Sequence, residues 1–522
     1  MVTLHPGAPW WQSAVIYQIY PRSFADASGD GVGDLQGVIG RLDHLAWLGI
    51  DAIWLSPFFR SPMRDFGYDV SDYCDVDPLF GSLDDFDALV AATHERGLRL
   101  IIDWVPAHTS SDHPWFVEAR ASRESPRRDW YVWRDLGANG ELPNNWTCSF
   151  HPGQPAWTLD EGSGQLYLHS FLPEQPDLNW ANPDVEAAMH DVLRFWLDRG
   201  VDGIRADVIH NIGKDPLLAD LSPKLARIPQ QAVNEQPVTH EYLRRIRALL
   251  DRYEGERMMV GEVWRLLPEQ TALYYGKGDE LHLNFNLLSI LADWSAATWR
   301  DAIEKTAAGL DPVDAWPTWV LSNHDFPRHR TRFGGAEATA RAAAILLLTL
   351  RGTPFLYMGE ELGLEDAVVP PERVVDPGGR DGCRAPIPWD ASADRGWGAD
   401  PWLPWPPDAD ACSVERQRKD DTSILHLYRR TLAARRASPA LRLGEQTLLP
   451  AAEGLLAYRR QCDDDQRTVL VNFRDQPARF DPGERLEIEV ASDGAHEGEP
   501  FSGDVRARQA LILGRAARTS AG

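Results

Sequence analysis

The 522-residue chain has no excess of basic residues, no paired cysteines and no long apolar run. Lys and Arg number 53 against 78 Asp and Glu, for a net charge of -25. Phosphate backbones and anionic lipids select cationic surfaces, so nucleic acid and membrane are not expected partners, and a neutral small molecule fits better. The five cysteines (Cys74, Cys148, Cys383, Cys412, Cys462) are scattered, odd in number and without a C-x-x-C pair. That argues against a disulfide framework or a zinc site and for a reducing cytoplasm. The longest apolar stretch, "AAAILLLTL" from Ala342, is far below the roughly 20 residues that span a bilayer. The N-terminal "MVTLHPGAPWW" lacks a basic start followed by an apolar segment. A soluble, unsecreted chain is expected.

What is abundant is apolar and aromatic: 43% hydrophobic residues and 21 tryptophans, ample for a large core. Trp115, Trp130, Trp133, Trp146, Trp157 and Trp180 crowd one stretch. Packing accounts for most of them, although flat rings also suit the C–H faces of sugars.

Short β-rich runs begin near Ala14, Asp51, Leu98, Val201, Arg257, Leu281, Pro317 and Thr353. Each is nearly continuous in apolar residues, ends in polar ones and precedes a helix-period segment. Eight such repeats predict an α/β fold, a (β/α)8 TIM barrel with a parallel sheet covered by helices. "LQGVIGRLDHLAWLG" and "SLDDFDALVAATHERG" show apolar residues at three-to-four spacing, a polar start and a glycine stop. The repeat breaks between Thr109 and Trp180, where a Trp-, Pro- and Gly-rich insertion follows the third strand. An insertion there stands on the active face of such a barrel. After "SILHLYRRTLAARRASPAL" the runs "GLLAYRRQ", "RTVLVNF" and "ERLEIEV" alternate, predicting a C-terminal antiparallel β-sandwich domain. The expected division is barrel 1–108, inserted subdomain 109–180, barrel 181–441 and β domain 442–522, with "GRAARTSAG" frayed.

In "GVDGIRADVIHNIGKD" Ile204, Ala206 and Val208 alternate with Arg205 and Asp207. Strand side chains repeat their direction every second residue, so the two charges share a side. Other charged groups end neighbouring strands: Asp103 and His108 after the third, Glu262 after the fifth, His324 and Asp325 after the seventh. That rim is where this fold does chemistry. Unpaired charges there are costly, so a convergent cluster is the economical reading. Three carboxylates around one pocket suit glycosidic-bond cleavage: a nucleophile, a protonated acid and a group that holds sugar hydroxyls. Arg205 is expected to keep Asp207 ionised. Glu262, between Gly261 and the apolar Val263 and Trp264, is the better proton holder. Asp26, Ser28, Asp30, Val32 (through its carbonyl) and Asp34 in "DASGDGVGD" space oxygen donors for a hard cation. A solvated turn explains the same loop, since Gly37 stands where a calcium loop wants glutamate. His44 and His94 on helices read as packing or surface residues.

"DWVPAHTS", "GIRADVIH", "GEVW" and "SNHD" resemble, in order, the four signature segments of the α-amylase superfamily, glycoside hydrolase family 13. "VIYQIYPRSFADASGDGVGDLQG", "FGYDVSDY", "LPEQPDLNW" and "RAPIPWD" are similar to its α-glucosidase and oligo-1,6-glucosidase branch. The resemblance spans essentially the whole chain. It implies Asp207 as nucleophile, Glu262 as acid/base and Asp325 as transition-state stabiliser, with retention of configuration. It implies His108, Arg205 and His324 around the first sugar, Asp69 and Tyr68 at its non-reducing end, and Phe150 and Phe171 lining the cleft. An arginine of "GRDGCRAP" should pair with Asp69, either Arg384 or Arg380, with Arg384 preferred. A closed end implies exo action on an α-glucoside, without an organic cofactor, by a monomer or homodimer. The resemblance also favours Ca²⁺ or Mg²⁺ in the 26–34 loop, in a structural role. Ala107 stands where many α-amylases have a calcium-binding Asn, so that second site is not expected. Val208 leans toward α-1,6 linkages, where α-1,4-preferring relatives often carry Thr. The rival readings are a transglucosidase or sucrose isomerase and, more distantly, a silent relative such as a transporter heavy chain. Those heavy chains carry a membrane helix and often lack the carboxylates.

Overall fold

The computed structural model describes residues 7–151, 153–222 and 235–515. Eight parallel strands form one sheet: β1 (Ile16–Ile19), β2 (Ala52–Leu55), β3 (Arg99–Trp104), β4 (Gly203–Ala206), β5 (Met258–Gly261), β6 (Leu283–Asn284), β7 (Thr318–Val320) and β8 (Thr353–Tyr357). Backbone pairing runs β6-β5-β4-β3-β2-β1-β8-β7. All eight lie in the expected runs. Every one of their residues but Arg99 is buried, as a sheet covered on both faces requires. Between β6 and β7 no ladder is formed. There the Thr318 hydroxyl donates to the Asn284 carbonyl (2.7 Å) and accepts from the Asn286 N–H (3.0 Å), so a side chain bridges the seam.

The helices begin and end where their termini are satisfied. Leu35–Leu48 starts on Asp34, whose carboxylate accepts from Gly37 N (2.6 Å), and stops at Gly49, which is left-handed at φ 101°. Leu83–Glu95 carries a capping box between Ser82 and Asp85. His44 is buried against Trp47 and Trp389, and His94 pairs with Asp202 at 2.8 Å.

The insertion builds a three-stranded antiparallel sheet, Trp133–Asp135, Gln165–Leu168 and Trp157–Asp160 in that order. It docks on the loop that follows β4. Asn144 Nδ2 donates to Leu218 O (3.0 Å), Trp146 Nε1 to Ala219 O (3.0 Å), and Asn145 Nδ2 to Leu221 O (2.8 Å). Lys214 meets the buried Asp177 at 2.7 Å.

The C-terminal region is a five-stranded antiparallel sheet backed by a two-stranded ribbon, Ala478–Arg479 with Asp504–Val505. The second layer of the expected sandwich is therefore slight. One face of the main sheet packs on Phe480 and Val505. The other, with Leu456, Tyr458, Val469, Val471 and Ile512, joins the core of the barrel. Ala510–Arg515 is an inner strand of that sheet, paired on both sides. Gly514 and Arg515, expected to fray, are held because Gly514 lies opposite both Arg467 and Glu487; the rest of that segment lies outside the described residues.

Candidate active site

Register assembles the site. β3 and β4 pair so that Asp103 stands opposite Arg205, and β4 and β5 pair Ala206 with Gly261, which puts Asp207 and Glu262 one residue further at the same rim. A side chain at Gly261 would press on Leu281, 2.5 Å from an added Cβ, and Leu281 would have to shift to admit it. Beyond Asp207 the chain turns sharply at Val208, whose φ of 33° is strained for a β-branched residue. Asp325 sits on the loop after β7, where Asn323 Oδ1 accepts from Asp325 N (2.9 Å) and Phe326 N (3.0 Å).

These residues open on a cavity of about 300 Å³, lined by Asp65, Tyr68, His108, Phe150, Phe171, Asp207, Val208, Glu262, Trp264, Asp325, Phe326 and Arg380, among others. The volume suits one hexose with part of a second. At its base Arg205 Nη1 donates to Asp103 Oδ1 and Asp207 Oδ1, each at 2.7 Å, while Nη2 donates to Glu262 Oε2. Trp264 Nε1 donates to Glu262 Oε1 at 2.8 Å.

One guanidinium thus serves three carboxylates. Arg205 favours the ionised form of Asp207 as expected of a neighbouring cation, but it is shared among three carboxylates. Burial pushes Asp207 up to about 7 and Glu262 up to about 7, with Arg205 opposing in each case. Asp103 is pushed up to about 7 by the same burial. A single cation cannot neutralise three buried anions, so the cluster retains a proton near neutrality. Asp325 behaves oppositely. Burial would raise it, but His324, in so far as it is protonated, and the Arg380 and Arg384 guanidiniums hold it well below the usual carboxylate range.

The closed end is built from other residues than expected. Asp69 does not face the cavity: it is fully buried and accepts from Ser61 Oγ (2.8 Å), Arg64 N (3.0 Å) and Asp65 N (3.0 Å). It shapes the turn that presents Asp65, whose carboxylate meets Arg380 Nη2 at 2.6 Å. Arg380 also contacts Asp325 (3.0 Å) and Asp376 (2.7 Å) and lies 5.0 Å from the Phe150 ring. The preferred Arg384 is wholly buried behind the cavity. It donates to His324 O (2.8 Å) and meets Asp376 at 3.2 Å. The wall-forming pair is Asp65–Arg380.

Tyr68, His108, Phe150 and Phe171 line the cavity as expected, while Arg205 and His324 lie buried beneath the lining, 2% and 1% exposed. Sequence reasoning missed Asp65, Asn323, Phe326 and Trp264 as lining or positioning groups. Asp65 stands one residue before the "FGYDVSDY" segment.

The 26–34 loop offers only oxygen donors, but its carboxylates serve its own amides. Asp26 accepts from Gly29 N and Gly31 N (each 2.7 Å), Asp30 from Val32 N (2.9 Å), and Asp34 from Ala27 N (3.1 Å) and Ser28 N (3.0 Å). Among the described residues no three His, Cys, Asp or Glu side chains converge to hold a metal.

The alpha-amylase catalytic-domain family matches residues 18–444. The chain belongs to that family. A probable alpha-glucosidase of Rhizobium meliloti is 44% identical over 93% of each chain. An oligo-1,6-glucosidase of Parageobacillus thermoglucosidasius is 36% identical over 90% of this chain and 92% of its own. Among solved structures, the alpha-glucosyl transfer enzyme XgtA superposes with a TM-score of 0.91 at 42% identity, covering 98% of this chain and 100% of that one. The family match takes in the insertion and ends before the C-terminal sheet, while the likeness to XgtA extends over 98% of this chain.

Proposed function

We propose that this family member is an exo-acting, retaining α-glucosidase that releases one terminal glucose from short α-linked oligosaccharides or disaccharides. The observation that carries the reading is the cavity walled at one end by Asp65–Arg380 with Asp207, Glu262 and Asp325 around its base. A groove for internal cleavage would be open at both ends. Asp207 and Glu262 share one guanidinium, which agrees with the roughly 5 Å carboxyl separation of retaining enzymes better than with the wider gap that admits a water.

In this reading the Asp207 carboxylate attacks the anomeric carbon while Glu262 gives its proton to the leaving oxygen. A β-glucosyl ester and a free alcohol result. Glu262, now a carboxylate, takes a proton from water as that water displaces Asp207, and the acid form is restored. Asp325, kept anionic, binds sugar hydroxyls as positive charge builds on the ring.

Mass spectrometry after reaction with a slow fluorinated glucosyl substrate should find the ester on Asp207, and a label elsewhere would sink the assignment. A panel of maltose, isomaltose, trehalose, sucrose and longer malto-oligosaccharides, scored by kcat/KM, defines linkage. Internal cleavage of starch faster than maltose hydrolysis would overturn the closed-end argument. A second reading, transfer of glucose to an alcohol in place of water, is supported by the likeness to XgtA. It is also supported by the Trp264 and Phe326 rings, stacked 5.9 Å apart beside Glu262, an apolar platform for an acceptor. The ratio of transfer product to free glucose decides between them.

The proposal includes a structural Ca²⁺ or Mg²⁺ in the 26–34 loop, supported by the spacing of its oxygens. Because the loop's own amides already satisfy its carboxylates, the cation should add stability by mass action and leave the site unchanged. Adding millimolar Ca²⁺ or Mg²⁺ to chelated protein is expected to raise Tm by a few degrees with kcat/KM constant, and an unchanged Tm rejects it. A cytoplasmic monomer or homodimer completes the proposal; light scattering reads the oligomeric state.

A further inference from the structure

Gln18, the third residue of β1, points into the barrel and is 1% exposed. Its amide lies 2.7 Å from His324 Nδ1 and 3.1 Å from Ser56 Oγ. The other ring nitrogen, Nε2, is 2.6 Å from the Tyr68 hydroxyl and 3.3 Å from Asp325 Oδ2. Tyr68 Oη in turn lies 3.2 Å from Asp103 Oδ2. Asp103 Oδ1 accepts from the Arg205 nitrogen that also serves Asp207. One continuous chain of polar contacts therefore links Gln18 to the base of the cavity.

We infer that Gln18 is a positioning residue that fixes the tautomer of His324, holding its single ring proton on Nε2 and so directing the Tyr68 hydroxyl to Asp103.

The two possible tautomers differ in what they leave unpaired. Burial, the main cause, lowers His324 to about 3, so the ring is neutral and carries one proton. With that proton on Nε2, the ring donates to Tyr68 Oη and faces Asp325 with a positive edge. The Tyr68 O–H is then free to donate to Asp103, and Nδ1 needs a donor, which the Gln18 amide supplies. With the proton on Nδ1, the Tyr68 O–H is spent on Nε2. Asp103 Oδ2 keeps only the Trp54 indole at 3.3 Å, and a nitrogen lone pair faces the Asp325 carboxylate. Only the first arrangement adds the Tyr68 donor to Asp103 Oδ2 and turns an N–H toward Asp325, beyond the donors that Arg205 and Trp54, and Arg380 and Arg384, supply to them in either case. Which way the glutamine amide faces follows from those carboxylates and not from the amide itself. The ring has little room to choose otherwise, with Trp54 edge-on at 6.1 Å and the His324 carbonyl held by Arg384.

The inference rests on reading this cavity as the glucosidase site, but its test does not. Protein labelled with ¹⁵N-histidine, with the His324 signals identified by their loss in H324N, reports the tautomer whatever the substrate. The native protein should show protonated Nε2 and unprotonated Nδ1; the reverse overturns the inference without any variant. In Gln18→Glu a carboxylate faces Nδ1 and should draw a proton there, with kcat/KM on the best substrate of the panel down at least tenfold, mainly through kcat. Gln18→Met keeps the volume without a donor and should give an intermediate loss. Native nitrogen signals in Gln18→Glu, or an unchanged kcat/KM in both variants, would overturn it. Failure of the native protein on every α-glucoside would instead overturn the proposed activity and leave the tautomer standing.

Discussion

At Glu262 the burial that retains a proton for a leaving group also withholds stability from the fold. Its folded value, about 7, lies above the ordinary value, so between roughly pH 4.5 and 7 the folded state binds protons the unfolded state has released. Stability from this group is complete below that window and declines as pH rises through it. Glu262→Gln removes the titration but keeps an oxygen for Arg205. The variant is expected to lose about 10²- to 10⁴-fold in kcat/KM. It should melt above the native protein at pH 8, with the gap closing toward pH 5; calorimetry across that range checks it, and a gap independent of pH rejects the argument. Asp325 has the opposite sign. Held low chiefly by the Arg380 and Arg384 guanidiniums, it contributes stability above the ordinary carboxylate range that is lost in strong acid. Arg380 touches three carboxylates, Asp65, Asp325 and Asp376. Arg380→Ala leaves them facing one another and should raise KM for the disaccharide at least tenfold while longer oligosaccharides suffer less. Equal losses across chain lengths would remove the wall from the explanation. At this scale the carboxylates were legible because charge at the end of an apolar strand is conspicuous. The partner of Arg380 was not: two aspartates four residues apart look alike in sequence, and only the fold turns Asp69 inward onto its own turn.

The strands were legible for a general reason. A strand covered on both faces is apolar without alternation and must end in polar residues at the rim, so its boundaries mark themselves. The β6–β7 seam has no such mark. It depends on side-chain hydroxyls: Thr318, fully buried, accepts one backbone N–H and donates to one carbonyl, and Ser289 accepts from Val320 N (3.2 Å) while donating to Asn286 O (2.8 Å). Thr318→Val keeps the shape and leaves both backbone groups unpaired, which costs about 1–3 kcal/mol. A lower Tm with an unchanged KM is the expected result, and a variant as stable as the native protein would mean that the seam closes by other means. The Ala510–Arg515 strand escaped the sequence although it too is apolar without alternation. Ala510 to Gly514 are buried, but the run is short and leads straight into what looks like a tail.

Across the whole molecule the C-terminal sheet is not an independent unit. Its inner face shares the barrel's core, alongside the buried helix Glu337–Thr349. Arg460 reaches from it to Thr349 O and Gly444 O. A chain ended at Gly444 would uncover a contiguous apolar face of the kind that drives aggregation. Such a truncation is expected to be recovered mostly in the insoluble fraction, and a soluble, active product would show that the sheet is dispensable. The catalytic machinery and the sheet share no residue, yet the first stands on the second.

The docking of the insertion on the loop after β4 bears on how this protein can be recombined with its relatives. Asn144, Asn145 and Trp146 read backbone groups of residues 218–221, and Asp177 takes the charge of Lys214. The wall of the cleft and the segment leading away from Asp207 are therefore matched halves. A chimera that exchanges 109–180 alone breaks those contacts, whereas one that carries the loop after β4 with it preserves them, so crossover points chosen at domain edges would cut through the unit that evolution has to move whole.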